Sequence, residues 1–204
     1  AAPGPIGRGP PVIVHMPPDS MMAALRNLEG YTLTEYRAAS AMFDADSGRL
    51  TLNGEPSLLR EGHGMDADSL LVYDQTTAII CGYGSPVLQG VTGDPVESDQ
   101  VCYNVETKTG VALGARTRFT QGGTWFVHGK ELYTAGNDRI YGSRTMFTSC
   151  DLDVPHYPFA AKDMKIVHDN IMVARDVTMH FGEVPVFWLP FMVQSMKDGR
   201  RSGL

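Results

Sequence analysis

A repeat of thirty residues runs through the middle of the chain and limits the folds open to it. Glycines recur at this spacing at Gly54, Gly84 and Gly114. An aromatic residue followed by Asp or Asn recurs with the same period, at Phe43-Asp44, Tyr73-Asp74 and Tyr103-Asn104. We interpret each unit as an aromatic-ended strand, a turn, a second strand, a glycine corner and a third strand. Because one unit cannot bury its apolar face alone, the units are expected to stack around a shared apolar interior.

From residue 31 onward the chain reads as short β-strands separated by turns. Runs rich in Val, Thr, Tyr, Phe and Ile alternate with turn residues, and many of these runs alternate apolar and polar side chains. The pattern predicts an all-β architecture, either a sandwich, a jelly roll or a solenoid. The one predicted helix comes earlier, at residues 21–28, with Ser20 as its N-cap and Gly30 as its stop.

Composition narrows the range of partners. The 17 basic and 23 acidic residues give a formal net charge of -6, which argues against nucleic acid or an anionic membrane surface as the main partner. No apolar run approaches the ~18 residues that indicate a transmembrane helix. The opening segment, residues 1–11, is rich in Pro and Gly, shows no signal-peptide pattern and resembles a linker taken from a longer chain.

No pattern typical of an enzyme or a metal site stands out. The 6 histidines form no His-Glu-x-x-His motif, and the sequence has neither a Gly-x-Ser-x-Gly elbow nor a Walker loop. Asp66 and Asp68 share one face of a strand, where capping a turn is a better interpretation than binding a cation. The sequence therefore predicts a protein that is not an enzyme and that needs no metal and no cofactor.

Cysteine is too sparse for a disulfide scaffold. The chain has Cys81, Cys102 and Cys150, and no Cys-x-x-Cys pair that would indicate zinc. Cys81 and Cys102 lie at different phases of the repeat, so the sequence leaves open whether they pair. The odd number leaves one thiol over, which points to a partner outside this segment.

The C-terminal quarter of the chain carries three short motifs. Thr148-Ser149-Cys150 is followed by an acidic, proline-containing loop and a short aromatic stretch. Pro185-Val-Phe-Trp-Leu-Pro-Phe191 comes next, and Arg200-Arg-Ser-Gly-Leu204 follows it. In this order and at this spacing they resemble the lipopolysaccharide-assembly protein LptD family, also called OstA or organic solvent tolerance protein. With the preceding repeats, the resemblance covers residues 31–204.

The resemblance implies a fold, a cargo and a place in the cell. Members carry an OstA-type β-jelly roll in the periplasm, an elongated stack of short antiparallel strands, followed by a barrel in the cell outer membrane. Residues 1–30 would then be a linker and short helix, 31–183 the periplasmic jelly roll, and 184–204 the junction to a barrel absent from this chain. The implied cargo is lipopolysaccharide, whose lipid A acyl chains pass along an apolar groove. The implied partners are an LptA-like jelly-roll bridge protein and, through the barrel, an LptE-like lipoprotein.

Alternation and the phase of the repeat predict which apolar side chains line the groove. They are Leu50, Leu52, Leu70, Val72, Val101, Tyr103, Val111, Leu113, Phe119, Val177, Met179 and Phe181. The membrane junction is predicted at Pro185, Phe187, Trp188 and Pro190, because Trp and Pro suit an interfacial edge strand. The resemblance also makes Cys150 a candidate for a disulfide with a cysteine of the absent barrel, in an oxidising periplasm.

Three other functions share parts of this pattern. A free-standing bridge protein of the LptA or LptC kind would have the same fold, although the motifs at 185–191 and 200–204 argue against it. A structural β-solenoid would polymerise through its terminal rungs and would have no affinity for lipid. A β-helical carbohydrate enzyme would need a cluster of carboxylates on one face, and the sequence offers no convincing one.

Overall fold

The structure, a computed structural model, describes residue 24 and residues 32–91, 94–120, 124–136, 138–152, 154–167 and 170–195. The helix predicted at 21–28 and the motif at 200–204 lie outside these residues, apart from Ala24. The described part of the chain forms a 16-stranded antiparallel sheet. Its strands are β1 (Thr34–Arg37), β2 (Ser40–Asp44), β3 (Arg49–Asn53), β4 (Ser57–Arg60), β5 (His63–Asp66), β6 (Leu70–Asp74), β7 (Ile79–Tyr83), β8 (Val87–Gln89), β9 (Val96–Glu97), β10 (Gln100–Asn104), β11 (Thr109–Phe119), β12 (Trp125–Ala135), β13 (Arg139–Thr148), β14 (Phe159–Val167), β15 (Ile171–Phe181) and β16 (Val184–Ser195).

The sheet folds back on itself into two facing layers. Layer A contains β2, β3, β6, β7 and β10, and layer B contains β1, β4, β5, β8 and β9. Strand β11 joins them, because its first half pairs with β10 and its second half pairs with β9. The long strands β12 to β16 continue this arrangement, each paired along most of its length with its neighbour in sequence. The predicted all-β jelly roll of stacked antiparallel strands is confirmed.

A line of corners marks where the chain crosses from layer A to layer B. Residues with positive φ stand along it at Gly54, Gly84, Gly114, Arg144 and Asp176. Gly114 lies inside β11 with a φ of 60°, and a Cβ there would overlap the carboxylate of Asp99. The thirty-residue glycine spacing therefore reflects a repeated corner, and at Gly54, Gly84 and Gly114 a Cβ would also collide with a neighbouring residue.

The Asp and Asn residues of the repeat close tight turns at the opposite end of layer A. The side-chain oxygens of Asp44, Asp74 and Asn104 accept hydrogen bonds from backbone N–H groups two or three residues ahead, at 2.8–3.1 Å. These local hydrogen bonds stabilise a turn and end the strand. The aromatic-Asp/Asn motif therefore recurs once in each thirty-residue unit.

A disulfide joins Cys81 of β7 to Cys102 of β10, the pairing that the sequence leaves open. The two residues are direct cross-strand partners, with Cα atoms 4.1 Å apart. Their neighbours Ile80 and Tyr103 point into the space between the layers and are buried, so the cysteines lie on the outer side of layer A. The disulfide therefore cross-links β7 and β10 on the outer face of layer A, and the interior stays apolar.

Candidate functional site

The space between the layers is filled by two rows of aligned, mostly apolar side chains. Strand register places one row on layer A: Leu52, Leu71, Gly82, Val101, Ala112, Leu132, Gly142, Met164 and Ala174. Register places the other on layer B: Leu58, Met65, Leu88, Val96, Thr117, Val127, Phe147, Phe159 and Met179. Row A and row B run across successive strands without a charged residue, so the interior is a continuous apolar path.

The two rows meet closely near the middle of the roll. A Cβ added at Gly82 of row A would lie 2.7 Å from Pro86 Cβ and 2.9 Å from Met65 Sδ of row B. Between the layers a cavity of only about 10 Å³ lies beside Val101, Leu132 and their neighbours, about the size of one water molecule. At these positions a chain-like ligand could pass only if the layers moved apart.

Six of the predicted lining residues are buried between the layers. They are Leu50, Leu52, Val101, Tyr103, Phe119 and Val177. Met179, near the end of β15, is half-buried in row B. Burial places these side chains on the predicted face, while their role as a lipid groove stays a prediction.

The predicted inward orientation is wrong for five others. Leu70 and Val72 are half-buried on the outer side of β6, because Leu71 and Tyr73 point inward. Apolar residues fill that strand without alternation, so only its register against β3 and β7 decides the face. Val111 and Leu113 are 37% and 42% exposed, since small inward residues of β11 make room for the Tyr103 ring. Phe181 is exposed at the end of β15, beyond a register shift at Met179/His180.

The residues predicted at the membrane junction lie on β16, which pairs with β15 alone among the described strands. Phe187, Trp188 and Phe191 are exposed, Trp188 by 59%. Pro185 and Pro190 are exposed as well. The strand thus ends the sheet with large apolar side chains in solvent on both of its faces, which is unusual for an edge strand unless something covers it.

Four contacts bridge layers A and B along the side opposite the corners, which we call the seam. Lys108 Nζ lies 3.5 Å from His63 Nδ1 and 3.5 Å from Glu61 Oε2. The Arg60 guanidinium lies 5.6 Å from the centre of the Tyr73 ring. His63 stacks on Tyr103, with ring centres 5.4 Å apart. Sequence reasoning missed this group, because its partners are far apart in sequence and no motif links them.

Burial at the seam keeps His63 uncharged near neutral pH. Burial is the main cause that lowers the pKa of His63, and the ammonium of Lys108 lowers it further. Two other causes raise the pKa of His63: the hydrogen bond from Nδ1 to the Glu61 carbonyl oxygen, and the negative charge of the Glu61 carboxylate. The net shift of the pKa is nevertheless downward. Burial, with the Arg116 guanidinium, also lowers the pKa of His128 on β12.

We expect the free energy of unfolding to fall as the pH is lowered below about 6.5, the ordinary histidine pKa. A histidine whose pKa is lower in the folded state takes up a proton on unfolding. Its contribution is therefore complete above that pH and is lost as the pH falls. Urea unfolding near pH 7.5 and near pH 5.5 measures the loss. His63→Phe keeps a ring beside Tyr103 and should lose less stability than the wild type; an equal loss would contradict this assignment.

A second pocket, of about 710 Å³ and with a mixed polar and apolar lining, lies outside the layers, between the loop before β9 and the loop after β13. Its cations and carboxylates are mixed, and Arg118 lies 3.6 Å from Asp94. Cys150 lines this pocket as a buried free thiol, with Sγ 3.9 Å from His156 Nδ1. The structure shows no disulfide partner for Cys150 among the described residues, so its interdomain disulfide stays a prediction.

Neither a metal site nor a membrane-spanning helix occurs in the described ranges. No three His, Cys, Asp or Glu side chains there come together in a way that could hold a metal ion. In the same part of the chain, no helix is long and apolar enough to cross a membrane.

Comparison with known proteins links this chain to a lipopolysaccharide-assembly protein. No family model matches. The chain is 25% identical over 172 residues to the LPS-assembly protein LptD of Azoarcus sp. (strain BH72), an alignment that covers 78% of this chain and 21% of that protein. The chain thus spans about a fifth of the length of this curated relative. The resemblance that the sequence motifs predict is confirmed.

A solved structure also aligns with the chain. It is LptH of Pseudomonas aeruginosa, described as the LptA-homologous periplasmic component of the lipopolysaccharide transport device. The alignment has a TM-score of 0.30 and 9% sequence identity, and covers 73% of this chain and 94% of LptH.

Proposed function

We propose that this chain is a non-enzymatic lipid-transport domain of the LptD type, which works on the periplasmic side of the cell outer membrane. It would receive lipopolysaccharide and pass the acyl chains between layers A and B. The observation that carries the proposal is the pair of apolar rows, which cross the strands of both layers without a charged residue. The sequence relationship to LptD supports the choice of cargo.

The chemistry of the two rows suits a cargo that slides. Each methylene buried contributes about 0.8 kcal/mol, so an acyl chain of ordinary length would bind firmly. Leu, Val and Met occur in both rows, Ala in row A and Phe in row B, so the side chains differ little in chemical kind from one strand to the next. A chain shifted by one strand would therefore meet an environment close to the one it left.

The free edge of β16 supports an exit toward the membrane. Its exposed aromatic side chains, with Trp188 among them, would be stable against lipid and unfavourable in water. We propose that residues 31–183 carry the cargo and that 184–204 form the junction, with Pro185, Phe187, Trp188 and Pro190 at the interface. Strand β16 already belongs to the same sheet, so the path from the interior to the junction would be continuous.

The opposite end of the roll offers a place for the incoming partner. Strand β2 pairs only with β3 among the described strands, and its Met42 and Phe43 side chains are exposed. We propose that an LptA-like bridge protein adds its own strands here, which would extend the interior across the joint. An LptE-like lipoprotein and a disulfide from Cys150 to a cysteine outside this chain stay predictions.

Photo-crosslinking to purified lipopolysaccharide tests the path through the interior. A small diazirine amino acid at Leu132 of row A or Val127 of row B should label the lipid, because both side chains are buried between the layers. Their neighbours Glu131 and His128 on the same strand point outward and serve as matched controls that should not label.

Two outcomes would exclude the proposal. Equal labelling at inward and outward positions would show adsorption to the surface, and no labelling at any position would favour a structural β-solenoid without lipid affinity. A free-standing bridge protein would label in the same way as the proposed domain. We prefer the LptD-type domain over a free-standing bridge protein because of the sequence relationship to LptD.

A further inference from the structure

The apolar interior contains polar atoms that have no partner within the described residues. They include Tyr103 Oη, His63 Nε2 and Thr134 Oγ1. All three side chains are almost fully buried: Tyr103 is 0% exposed, and His63 and Thr134 are 7% exposed. Leaving a buried polar group without a hydrogen bond is unfavourable, and Phe, Leu and Val would fill the same space without that cost.

Ring stacking and strand register connect the three side chains that carry these atoms. Tyr103 of layer A stacks on His63 of layer B, with the ring planes 21° apart. On the next strand a Cβ at Gly110 would lie 2.8 Å from Tyr103 Cδ2, so the tyrosine ring lies against a residue without a side chain. Thr134 is the register partner of Gly110 on its other side, and it lines the small cavity between the layers.

The protonation states of these groups make a complementary pair. His63 Nδ1 lies 3.1 Å from the Glu61 carbonyl oxygen and 3.5 Å from Lys108 Nζ. In the tautomer that donates from Nδ1 to the nearer carbonyl oxygen, Nε2 is an acceptor. Burial raises the pKa of Tyr103 to about 12, so its hydroxyl keeps its proton and can donate. A hydroxyl group on a ligand could donate a hydrogen bond to His63 Nε2 and accept one from the Tyr103 hydroxyl.

We propose that Tyr103, His63 and Thr134 form a polar notch that binds a hydroxyl group carried on an acyl chain. This inference rests on the proposed function and adds a chemical preference to it. Plain methylenes pass the notch with its polar atoms unsatisfied, whereas a hydroxylated chain satisfies them. The interior thereby favours hydroxylated chains over unsubstituted ones of the same length.

The test compares 3-hydroxytetradecanoate with tetradecanoate as ligands of the wild type and of Tyr103→Phe. One additional hydrogen bond in the interior should make the wild type prefer the hydroxylated chain by roughly fivefold. Tyr103→Phe keeps the ring and should lose most of this preference, which is measured as the ratio of the two affinities in each protein. Tyr133→Phe, which removes an exposed hydroxyl from the outer side of β12, should keep it.

The outcomes separate this inference from the proposed function. If tetradecanoate binds but the wild type shows no preference, or Tyr103→Phe retains it, the notch is excluded and lipid transport stands. If neither chain binds, both proposals fail. Thermal unfolding gives an independent check, because removing an unpartnered hydroxyl should leave the unfolding midpoint unchanged or raised. A drop of more than about 3 °C in Tyr103→Phe would show that the hydroxyl already has a partner and would overturn the notch.

Discussion

Replacing Phe147 with alanine should lower the free energy of unfolding by about 3–5 kcal/mol. Phe147 is 0% exposed in row B. Its ring stacks on Phe159 with centres 5.3 Å apart and contacts Trp125 at 6.0 Å. Alanine would remove the centre of this aromatic cluster and leave a cavity between rigid strands that cannot collapse fully. Urea unfolding followed by far-ultraviolet circular dichroism measures the loss.

Met146 provides the matched control for this substitution. It precedes Phe147 on β13 but points outward and is 41% exposed. Met146→Ala should therefore cost less than about 1 kcal/mol. If the two variants lost similar stability, the inward and outward faces of β13 would be wrongly assigned, and with them the register of row B.

Reducing the Cys81–Cys102 disulfide should lower the free energy of unfolding by about 3 kcal/mol. The bond closes a loop with a sequence separation of 21, so it restricts the unfolded chain more than the folded one. The double variant Cys81→Ser/Cys102→Ser should show a similar loss without a reductant. Urea unfolding of the wild type with and without dithiothreitol gives the measurement.

Cys150→Ser is the control that shows whether the effect of dithiothreitol on stability comes from the Cys81–Cys102 disulfide or from the free thiol of Cys150. Cys150 is free, so this variant should respond to dithiothreitol as the wild type does. If the free energy of unfolding of the wild type were the same with and without dithiothreitol, the disulfide between β7 and β10 would be contradicted. It would also remove one reason to place the chain in an oxidising compartment.

Features determined by local chemistry could be predicted from the sequence. Asp44, Asp74 and Asn104 form turns with their own neighbours, and Gly114 must adopt a backbone that other residues avoid. Both kinds of signal act within a few residues, so their thirty-residue spacing already indicates a stacked β fold. The motifs near the C-terminus carried the family resemblance independently of the fold.

Features determined by distant partners could not be predicted. The run Leu70-Leu71-Val72-Tyr73 has no alternation, so its inward face depends on strands that precede and follow it. On β11 the larger side chains of Val111 and Leu113 suggested the wrong face, because the Tyr103 ring takes the space that their inward placement would need. The seam escaped prediction for the same reason, since Lys108 and Glu61 meet only through the fold.

The close packing of layers A and B determines how much free energy is needed to move an acyl chain between them. With the cavity near 10 Å³, an acyl chain entering the roll does not fill an empty channel. It replaces side-chain contacts between the layers with contacts of the same apolar kind. For a chain that arrives from the apolar interior of a partner protein rather than from water, such an exchange is close to balanced in free energy. Under the proposed function, cargo could therefore advance under the pressure of further molecules arriving behind it, and the domain itself need supply no energy.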